Sequence, residues 1–480
     1  MLARLGVAPR RITSDSRQVR AGDAFAAYPG TRADGRAFIP DAIGRGASAV
    51  LWETAKFAWA RDWSIPNQPI AGLQHKLGWV ADFIYGSPSG TLWMVGVTGT
   101  NGKTTCAYAI AQCFDHCHQR AAVIGTLGNG LIGEVKPATH TTPDAAVLHE
   151  MLASFRDDGA KAVAMEVSSH GLDQGRVNGV EYDIALFTNL SRDHLDYHGT
   201  MAAYGAAKAR LFAWPGLHAS VINSDDAFGQ SLADAARARG AKVLTYGFSG
   251  ADLAGSNLRA TPDGVSFSVA TPWGRSEVTS SLVGSFNALN LLGVLGVMLA
   301  SGVGLEPAVT ALAAVQPPRG RMQKLGGDAR PLVVVDYAHT PDALEKALTA
   351  LRPVTQRGCE LICIFGCGGD RDPGKRRQMG RIAAELADRV VITNDNPRTE
   401  DAPAIAEAIL HGVRETANRR WALELDRAAA IKGAIQNAKP GDVVLVAGKG
   451  HEDYQEEHGK RTHFSDTEVV ADALAAWGRA

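Results

Sequence analysis

The sequence predicts a three-domain α/β protein. Three observations carry that prediction: a length of 480 residues, two long stretches in which β-rich runs alternate with helical patterns, and turn-rich punctuation between them. At about 100–200 residues per domain, the length calls for roughly three domains. Strand–helix alternation reads as βαβ units and hence as largely parallel sheets. The Gly-Ser-Pro-Ser-Gly run at 86–90 and the Gln-Pro-Pro-Arg-Gly run at 316–320 mark boundaries, so the expected domains are 1–88, 89–317 and 318–480.

Each domain is justified in chain order. The first, with GDAFAAYPG and ASAVLWE, reads as a small α/β unit whose strand order the pattern does not specify. In the second, the runs WMVGV, AAVIG, AVAMEV, DIALFTNL and ASVIN alternate with helical stretches such as PDAAVLHEMLASF and TMAAYGAAKARLF. From 251 to 283 the period changes to two, with Pro-Asp-Gly and Pro-Trp-Gly turns, which predicts antiparallel hairpins added to the parallel sheet. In the third, LVVVDYA, LICIFG, RVVITN, WALEL and VVLVAG are each followed by a helical stretch. That layout is Rossmann-like and doubly wound, yet no G-x-G-x-x-G opens its first turn, so it implies no redox cofactor.

Composition narrows the function classes. Lys+Arg 49 against Asp+Glu 50 gives a net charge of −1, so no summed field draws the chain to nucleic acid or to anionic membranes. Any phosphate site has to be built locally. The apolar stretch 288–305 is interrupted by Asn290, Ser301 and glycines, and reads as a buried helix rather than a membrane span. The leading residues lack the apolar run of a secretory signal, so a cytoplasmic location is expected. The six cysteines are expected as reduced thiols. Cys113, His116, Cys117 and His118 lie on a helix that projects them in several directions, a poor zinc cage.

The strongest chemical signal is Gly-Val-Thr-Gly-Thr-Asn-Gly-Lys-Thr-Thr at 96–105, between a strand and a helix. Gly99, Thr100, Asn101 and Gly102 let backbone amides and the helix N-terminus face a polyphosphate; Lys103 reaches the terminal phosphates, and Thr104, followed by Thr105, reaches Mg²⁺. The usual spacing would put glycine at 97, where this chain has Val97. The central domain is therefore expected to be ATPase-like. Two further strands of the same domain run into Glu166-Val-Ser-Ser-His-Gly-Leu and Ser191-Arg-Asp-His-Leu-Asp-Tyr-His198. Ligands bind at the carboxyl ends of strands in such sheets, so these clusters belong in one cleft with the loop, where a carboxylate and an imidazole can hold metal ions.

The third domain repeats the geometry. Its strands end in Asp336-Tyr-Ala-His-Thr-Pro341, Gly366-Cys-Gly-Gly-Asp-Arg-Asp372, Asn394-Asp-Asn-Pro-Arg398 and Gly448-Lys-Gly-His-Glu452. Singly, each reads equally well as a helix cap or tight turn. Jointly they predict a second binding rim facing the ATPase domain.

Taken in order with D-S-R and A-D-G-R of the first domain, these motifs span nearly the whole chain and resemble the Mur ligase family, in its meso-diaminopimelate-adding form. The resemblance implies ATP-dependent amide formation on UDP-N-acetylmuramoyl-L-alanyl-D-glutamate, through an acyl phosphate, in peptidoglycan precursor synthesis. Its implied catalytic residues are Lys103, Lys208 and His194, with Lys208 carried as the carbamate N6-carboxylysine. On the residues alone, Lys208 would be an exposed helix lysine. The implied magnesium ligands are Thr104, Glu166 and His194, and the implied further ATP contacts are Asn287, Arg321, Asp336 and His339. UDP-sugar and peptide contacts fall on Ser14, Ser16, Thr141, Thr142, Ser168, Gln174 and Arg176. The amino-acid contacts fall on Arg371, Asp395, Asn396, Pro397, Arg398, Gly448 and Glu452. A monomer is expected, with small-molecule substrates only. The chain departs from the family pattern at Thr31-Arg32, before A-D-G-R, and at His140. D-N-P-R favours diaminopimelate over L-lysine and over a folylpolyglutamate synthase. A nucleotide switch would have no need of the second rim, and the sequence has no N-K-x-D motif.

Overall fold

The structure is a computed structural model that describes residues 6–30, 33–138, 140–261 and 263–478. The first unit is a four-stranded parallel sheet in the order Ile12–Thr13, Ala24–Ala27, Ala49–Trp52, Asn67–Pro69. Its helix Leu73–Ile84 buries Leu73, Leu77 and Ala81 in one cluster with Ala145 and Ala146 of the following unit. Arg11 adds an ion pair to Glu150 at 2.8 Å. The two units therefore share both apolar and charged contacts.

The second unit holds ten strands. Seven are parallel, in the order Leu253–Thr261, Val243–Gly247, Ala219–Asn223, Ile184–Phe187, Trp93–Thr98, Ala162–Glu166, Ala121–Gly125. Gly264–Thr271 and Gly274–Ser280 extend one edge as antiparallel hairpins, as the period-two pattern predicts. Gly128–Leu131 closes the other edge by an antiparallel pairing. Its glycines gave no strand signal, because Gly is depleted in strands. The stretch read as a buried helix is one: Ser285–Ala300 is buried on nearly all sides, packed with helix Lys103–His116 on one face of the sheet. No helix among the described residues is long and apolar enough to cross a membrane.

The third unit is doubly wound. Its sheet runs Gln323–Gly326, Leu332–Asp336, Val443–Ala447, Leu361–Phe365, Arg389–Ile392, Trp421–Leu423, and all neighbours are parallel except the first pair. Helices Pro341–Leu351, Gly374–Leu386 and Ala402–Arg414 cover one face. Arg427–Gln436 and Asp466–Ala476 cover the other. The last parallel strand is inserted between the first two. All six cysteines are free thiols, four of them buried.

Candidate active site

The phosphate-type loop is pressed between two elements, which explains two of its glycines. Gly102, at φ 85°, precedes helix Lys103–His116, and a Cβ there would lie 2.5 Å from Asn290 Oδ1. A Cβ at Gly99 would lie 1.9 Å from Thr188 Oγ1. Only glycine fits at either position. Asn189 secures the loop from the neighbouring strand end: its carbonyl accepts from the Thr100 amide at 2.8 Å, and its Oδ1 accepts from the Asn101 amide at 3.0 Å. Lys103 Nζ folds back to donate to the Gly99 and Thr100 carbonyls at 2.8 and 2.7 Å. Burial lowers its pKa, opposed by the nearby Glu166 and Asp193 carboxylates.

The loop lines a cleft of about 270 Å³ whose walls come from both the second and third units. Thr104, Glu166, His194 and Lys208 all face it, so the four positions expected to serve metal binding and catalysis are brought together. Glu166, 1 % exposed, accepts from the Thr126 amide at 2.8 Å. Thr104 Oγ1 accepts from Arg321 Nη2 at 3.1 Å. His194 adopts φ 53°, with Nε2 3.4 Å from Asp193 Oδ2. Desolvation brings its pKa down to about 4 in spite of that carboxylate. Lys208 corrects the reading of its residues alone: it is 1 % exposed, donates to the Gly99 carbonyl at 2.8 Å, and lies 4.5 Å above the Tyr204 ring. Burial, reinforced by the Lys103 charge, drives its pKa well below that of an ordinary lysine. That direction favours the neutral, nucleophilic form of the amine.

Across the cleft, Asn287 Nδ2 donates to the Val283 carbonyl at 2.7 Å, and Asn290 Nδ2 donates to Asn287 Oδ1 at 2.8 Å. Arg321 stacks 4.5 Å from the Tyr337 ring centre, and its buried Nε lacks a hydrogen-bond partner. Asp336 accepts from the Met322 amide at 2.7 Å, with its pKa raised by burial. His339 Nδ1 lies 2.9 Å from the Tyr337 carbonyl, and burial lowers its pKa to about 4.

The candidate sugar and peptide residues connect to the same cleft in part. Thr141 Oγ1 lies 3.0 Å from Thr126 Oγ1, and Thr142 Oγ1 donates to the Glu166 carbonyl at 2.7 Å while accepting from the Ser168 amide at 3.0 Å. Arg176 donates to the Thr142 carbonyl at 3.0 Å and grips Gln174 Oε1 at 2.6 and 2.9 Å. Ser14, which hydrogen-bonds Tyr28, and Ser16, at the start of the short helix Ser16–Gln18, stand in the first unit outside the cleft lining. Thr31 and Arg32 lie outside the described residues.

The second rim forms as a hydrogen-bonded knot adjoining the cleft. Asn396 Nδ2 donates to Glu452 Oε2 at 2.8 Å, and the pKa of Glu452 is raised to about 6 by burial and by Asp395. Gly448 packs against Asp395, and Pro397 is buried. Arg398, half-buried at φ 54°, donates from Nη1 to the Gly369 carbonyl at 2.7 Å. Arg371 is exposed and lines a separate shallow cleft with Arg192 and Asp372. The cap of helix Ala402–Arg414 is Asp401, which accepts from the Ala404 amide at 3.1 Å, so Asp395–Arg398 does not serve as its cap. Tyr337 joins the two regions, its ring 5.1 Å from that of His451.

Three residues of the site escaped sequence reasoning. Asp342 Oδ2 accepts from Asn101 Nδ2 at 2.6 Å, Lys346 at 2.9 Å and Ser191 at 3.3 Å, tying the third unit to the phosphate-type loop; its place directly after D-Y-A-H-T-P was the available signal. Lys449 is fully buried inside the quoted G-K-G-H-E. Arg427, 1 % exposed, pairs with the buried Asp466 at 2.7 Å and donates to the carbonyls of Asn394 and Ala447, the residues preceding two rim loops. Sequence offered no signal for it beyond an ordinary helix start.

Comparison with known proteins finds relatives along the whole chain. Family models match three segments: Mur ligase family, catalytic domain, at 10–73; Mur ligase middle domain, at 97–298; and Mur ligase, glutamate ligase domain, at 320–450. A Chromobacterium violaceum protein named UDP-N-acetylmuramoyl-L-alanyl-D-glutamate–2,6-diaminopimelate ligase is 52% identical over 480 residues, covering 100% of this chain and 97% of that one. A Pseudomonas aeruginosa protein of the same name is 50% identical over 470 residues, covering 98% and 95%. A solved structure of a ligase with this name matches at TM-score 0.70 and 38% identity, over 98% of this chain and 95% of that one. The MurF ligase of Thermotoga maritima in complex with ADP shares the fold, at TM-score 0.68 and 20% identity, over 97% of both chains.

Proposed function

The chain belongs to the Mur ligase family, and from that premise we propose that it joins meso-diaminopimelate to the D-glutamate of UDP-N-acetylmuramoyl-L-alanyl-D-glutamate, with ATP converted to ADP and phosphate. The reaction belongs to peptidoglycan precursor synthesis. The observation that carries the reading is the cleft itself, walled on one side by the phosphate-type loop and on the other by strand ends of the third unit, with the second rim adjoining. Phosphoryl transfer asks chiefly for charge neutralisation and alignment, and amide formation then asks for an amine delivered from a different surface.

The steps follow from the residues. The loop amides and Lys103 hold the ATP phosphates while the glutamyl carboxylate attacks the γ-phosphorus and ADP leaves. The amine of the amino acid, held at the second rim, attacks the acyl carbon, and phosphate leaves as the C–N bond forms. Thr104, Glu166 and His194 would hold magnesium, which supplies charge neutralisation at the phosphates. No group of three or more His, Cys, Asp or Glu side chains converges as a metal cage among the described residues. That fits an ion which takes most of its oxygens from phosphate and water. Lys208 fits a carbamate: its buried amine, with the proton disfavoured, can add CO₂ and release a proton, leaving an anion near the metal.

Arg398 is the residue suited to the extra carboxylate that distinguishes diaminopimelate from lysine, with Arg371, Asp395, Asn396, Pro397 and Gly448 shaping the site and Glu452 taking the distal ammonium. Ser14, Ser16, Thr141, Thr142, Ser168, Gln174 and Arg176 hold the UDP-muramoyl peptide. Asn287, Arg321, Asp336 and His339 complete the ATP site, with Gly99–Thr105. We divide the chain at 1–88, 89–317 and 318–480, a division supported by the separate sheets, and we read the enzyme as a cytoplasmic monomer acting on small molecules. ATP turnover measured with each substrate omitted tests the assignment: phosphate release should need both the UDP-muramoyl dipeptide and meso-diaminopimelate. Turnover equally fast with neither refutes it.

A further inference from the structure

Lys449 is the unusual residue of the second rim. It is fully buried, yet an ammonium is expensive to bury unless it is paired and hydrogen-bonded. Its Nζ donates to Asn396 Oδ1 at 2.8 Å and to the Tyr454 carbonyl at 2.7 Å, and stands 3.6 Å from Asp395 and 3.8 Å from Glu452. The neighbouring Arg427–Asp466 pair is neutral as a unit, so one buried cation is shared by the buried Asp395 carboxylate and the half-buried Glu452 carboxylate. Once Arg398, the other cation acting on Glu452, is taken up by the substrate's carboxylate, a negative charge is left over for an incoming ammonium.

The hydrogen bonds of Asn396 give Lys449 a second task. Asn396 Oδ1 accepts from Lys449 Nζ and also from the Glu456 amide at 2.9 Å, while its Nδ2 donates to Glu452. Flipping the amide would set Nδ2 against two donors and Oδ1 against a carboxylate. Lys449 therefore fixes which way the amide points, and through it where the Glu452 carboxylate sits.

We propose that Lys449 is a specificity-determining positioning residue: it locks the Asn396 amide and keeps Glu452 charged, so that Glu452 captures the distal ammonium of the amino-acid substrate. The proposal rests on the diaminopimelate reading above and goes beyond it, since Lys449 touches no substrate in that reading. The charged groups facing Glu452 are consistent with the role. Asp395 raises its pKa while Lys449 and Arg398 lower it, and Arg427, Tyr337 and Tyr454 feel the Glu452 charge in turn. Removing the Lys449 charge therefore leaves Glu452 protonated to a higher pH.

The test is the pH profile of kcat/KM for meso-diaminopimelate in wild type, Lys449→Met and Asp395→Asn, with thermal melting and KM for ATP measured alongside. An opposite charge at this distance moves a pKa by about one unit or more. Lys449→Met should move the acid limb up by about one pH unit and raise KM for diaminopimelate about tenfold well below pH 6 but only about twofold at pH 7, the difference closing at higher pH, with KM for ATP unchanged. Asp395→Asn should move the limb the other way, and that measurement stands even where Lys449→Met fails to fold. An unmoved limb in folded variants, with wild type turning over diaminopimelate, overturns the role of Lys449. A wild type that shows no diaminopimelate-dependent turnover overturns the underlying reading instead.

Discussion

Replacing Arg427 by methionine separates what the buried ion pair does for stability from what it does for the amino-acid rim. In the native protein, Arg427 Nε and Nη2 bond both oxygens of Asp466 at 2.7 Å, and the pair is enclosed. Arg427→Met leaves a carboxylate buried with no partner, a loss of about 3–5 kcal/mol. At roughly 2–4 °C per kcal/mol for a domain of this size, the melting of the C-terminal unit should fall by about 10 °C. Adding Asp466→Leu removes the orphaned charge, and an apolar pair of similar volume is often neutral or stabilising, so the double variant should recover most of that loss. The carbonyls of Asn394 and Ala447 nonetheless lose their shared donor, and the loops that follow them carry Asp395–Arg398 and Gly448–Glu452. Calorimetry of the single and double variants, with KM for diaminopimelate measured on the double, reads the two effects apart. The expected result is restored melting together with a KM for diaminopimelate about tenfold higher and a KM for ATP unchanged. A single variant that melts within about 1 °C of wild type, or a double variant with wild-type KM for diaminopimelate, refutes the reasoning.

Lys103→Ala should cut turnover by about 10³-fold, the scale of losing one preorganised charge donor, with melting little changed; near-normal turnover in a folded variant removes the phosphate-loop assignment. Lys208→Ala should lose activity and regain part of it in acetate, which can stand in for the missing carbamate anion, and failure of every small carboxylate to restore it counts against the carbamate. Wild type should prefer diaminopimelate to lysine by about 10⁴-fold, as expected of a site built around a group the analogue lacks. Arg398→Ala should erase most of that preference while sparing KM for ATP, and a competition assay showing wild-type preference for lysine would falsify the assignment.

The parts of the site legible in the sequence are those written as contiguous runs at strand ends. Gly99 to Thr105, Glu166 and His194 could be read because a strand, a turn and a few polar residues together already define a cradle. Lys208 could not. Its burial depends on a hydrogen bond to the Gly99 carbonyl, 109 residues away, and nothing in AAYGAAKARLF shows which helix face turns inward. Arg427 was hidden for a similar reason: after Asp426, which caps its helix, it looks like any first-turn residue until Asp466 is packed against it. Strand Gly128–Leu131 was missed because it is held by a neighbour's pairing rather than by its own propensity. The doubly wound layout of the third unit was legible from alternation, whereas the insertion of its last strand between the first two was not, since alternation carries no information about order.

That insertion has a consequence for synthesis. Strands Leu332–Asp336 and Leu361–Phe365 do not pair with each other; each waits for Val443–Ala447, the last strand of this sheet to leave the ribosome. From residue 365, where the second of these strands is complete, to residue 447 the ribosome adds 82 residues, which at about 5–20 residues per second takes about 4–16 s. Through that interval the nascent domain carries two apolar strand edges whose amides and carbonyls have no partner, the kind of edge that recruits other chains. Stalled or truncated products ending before residue 443 should therefore be the aggregating species of this protein, and the ones on which chaperones act.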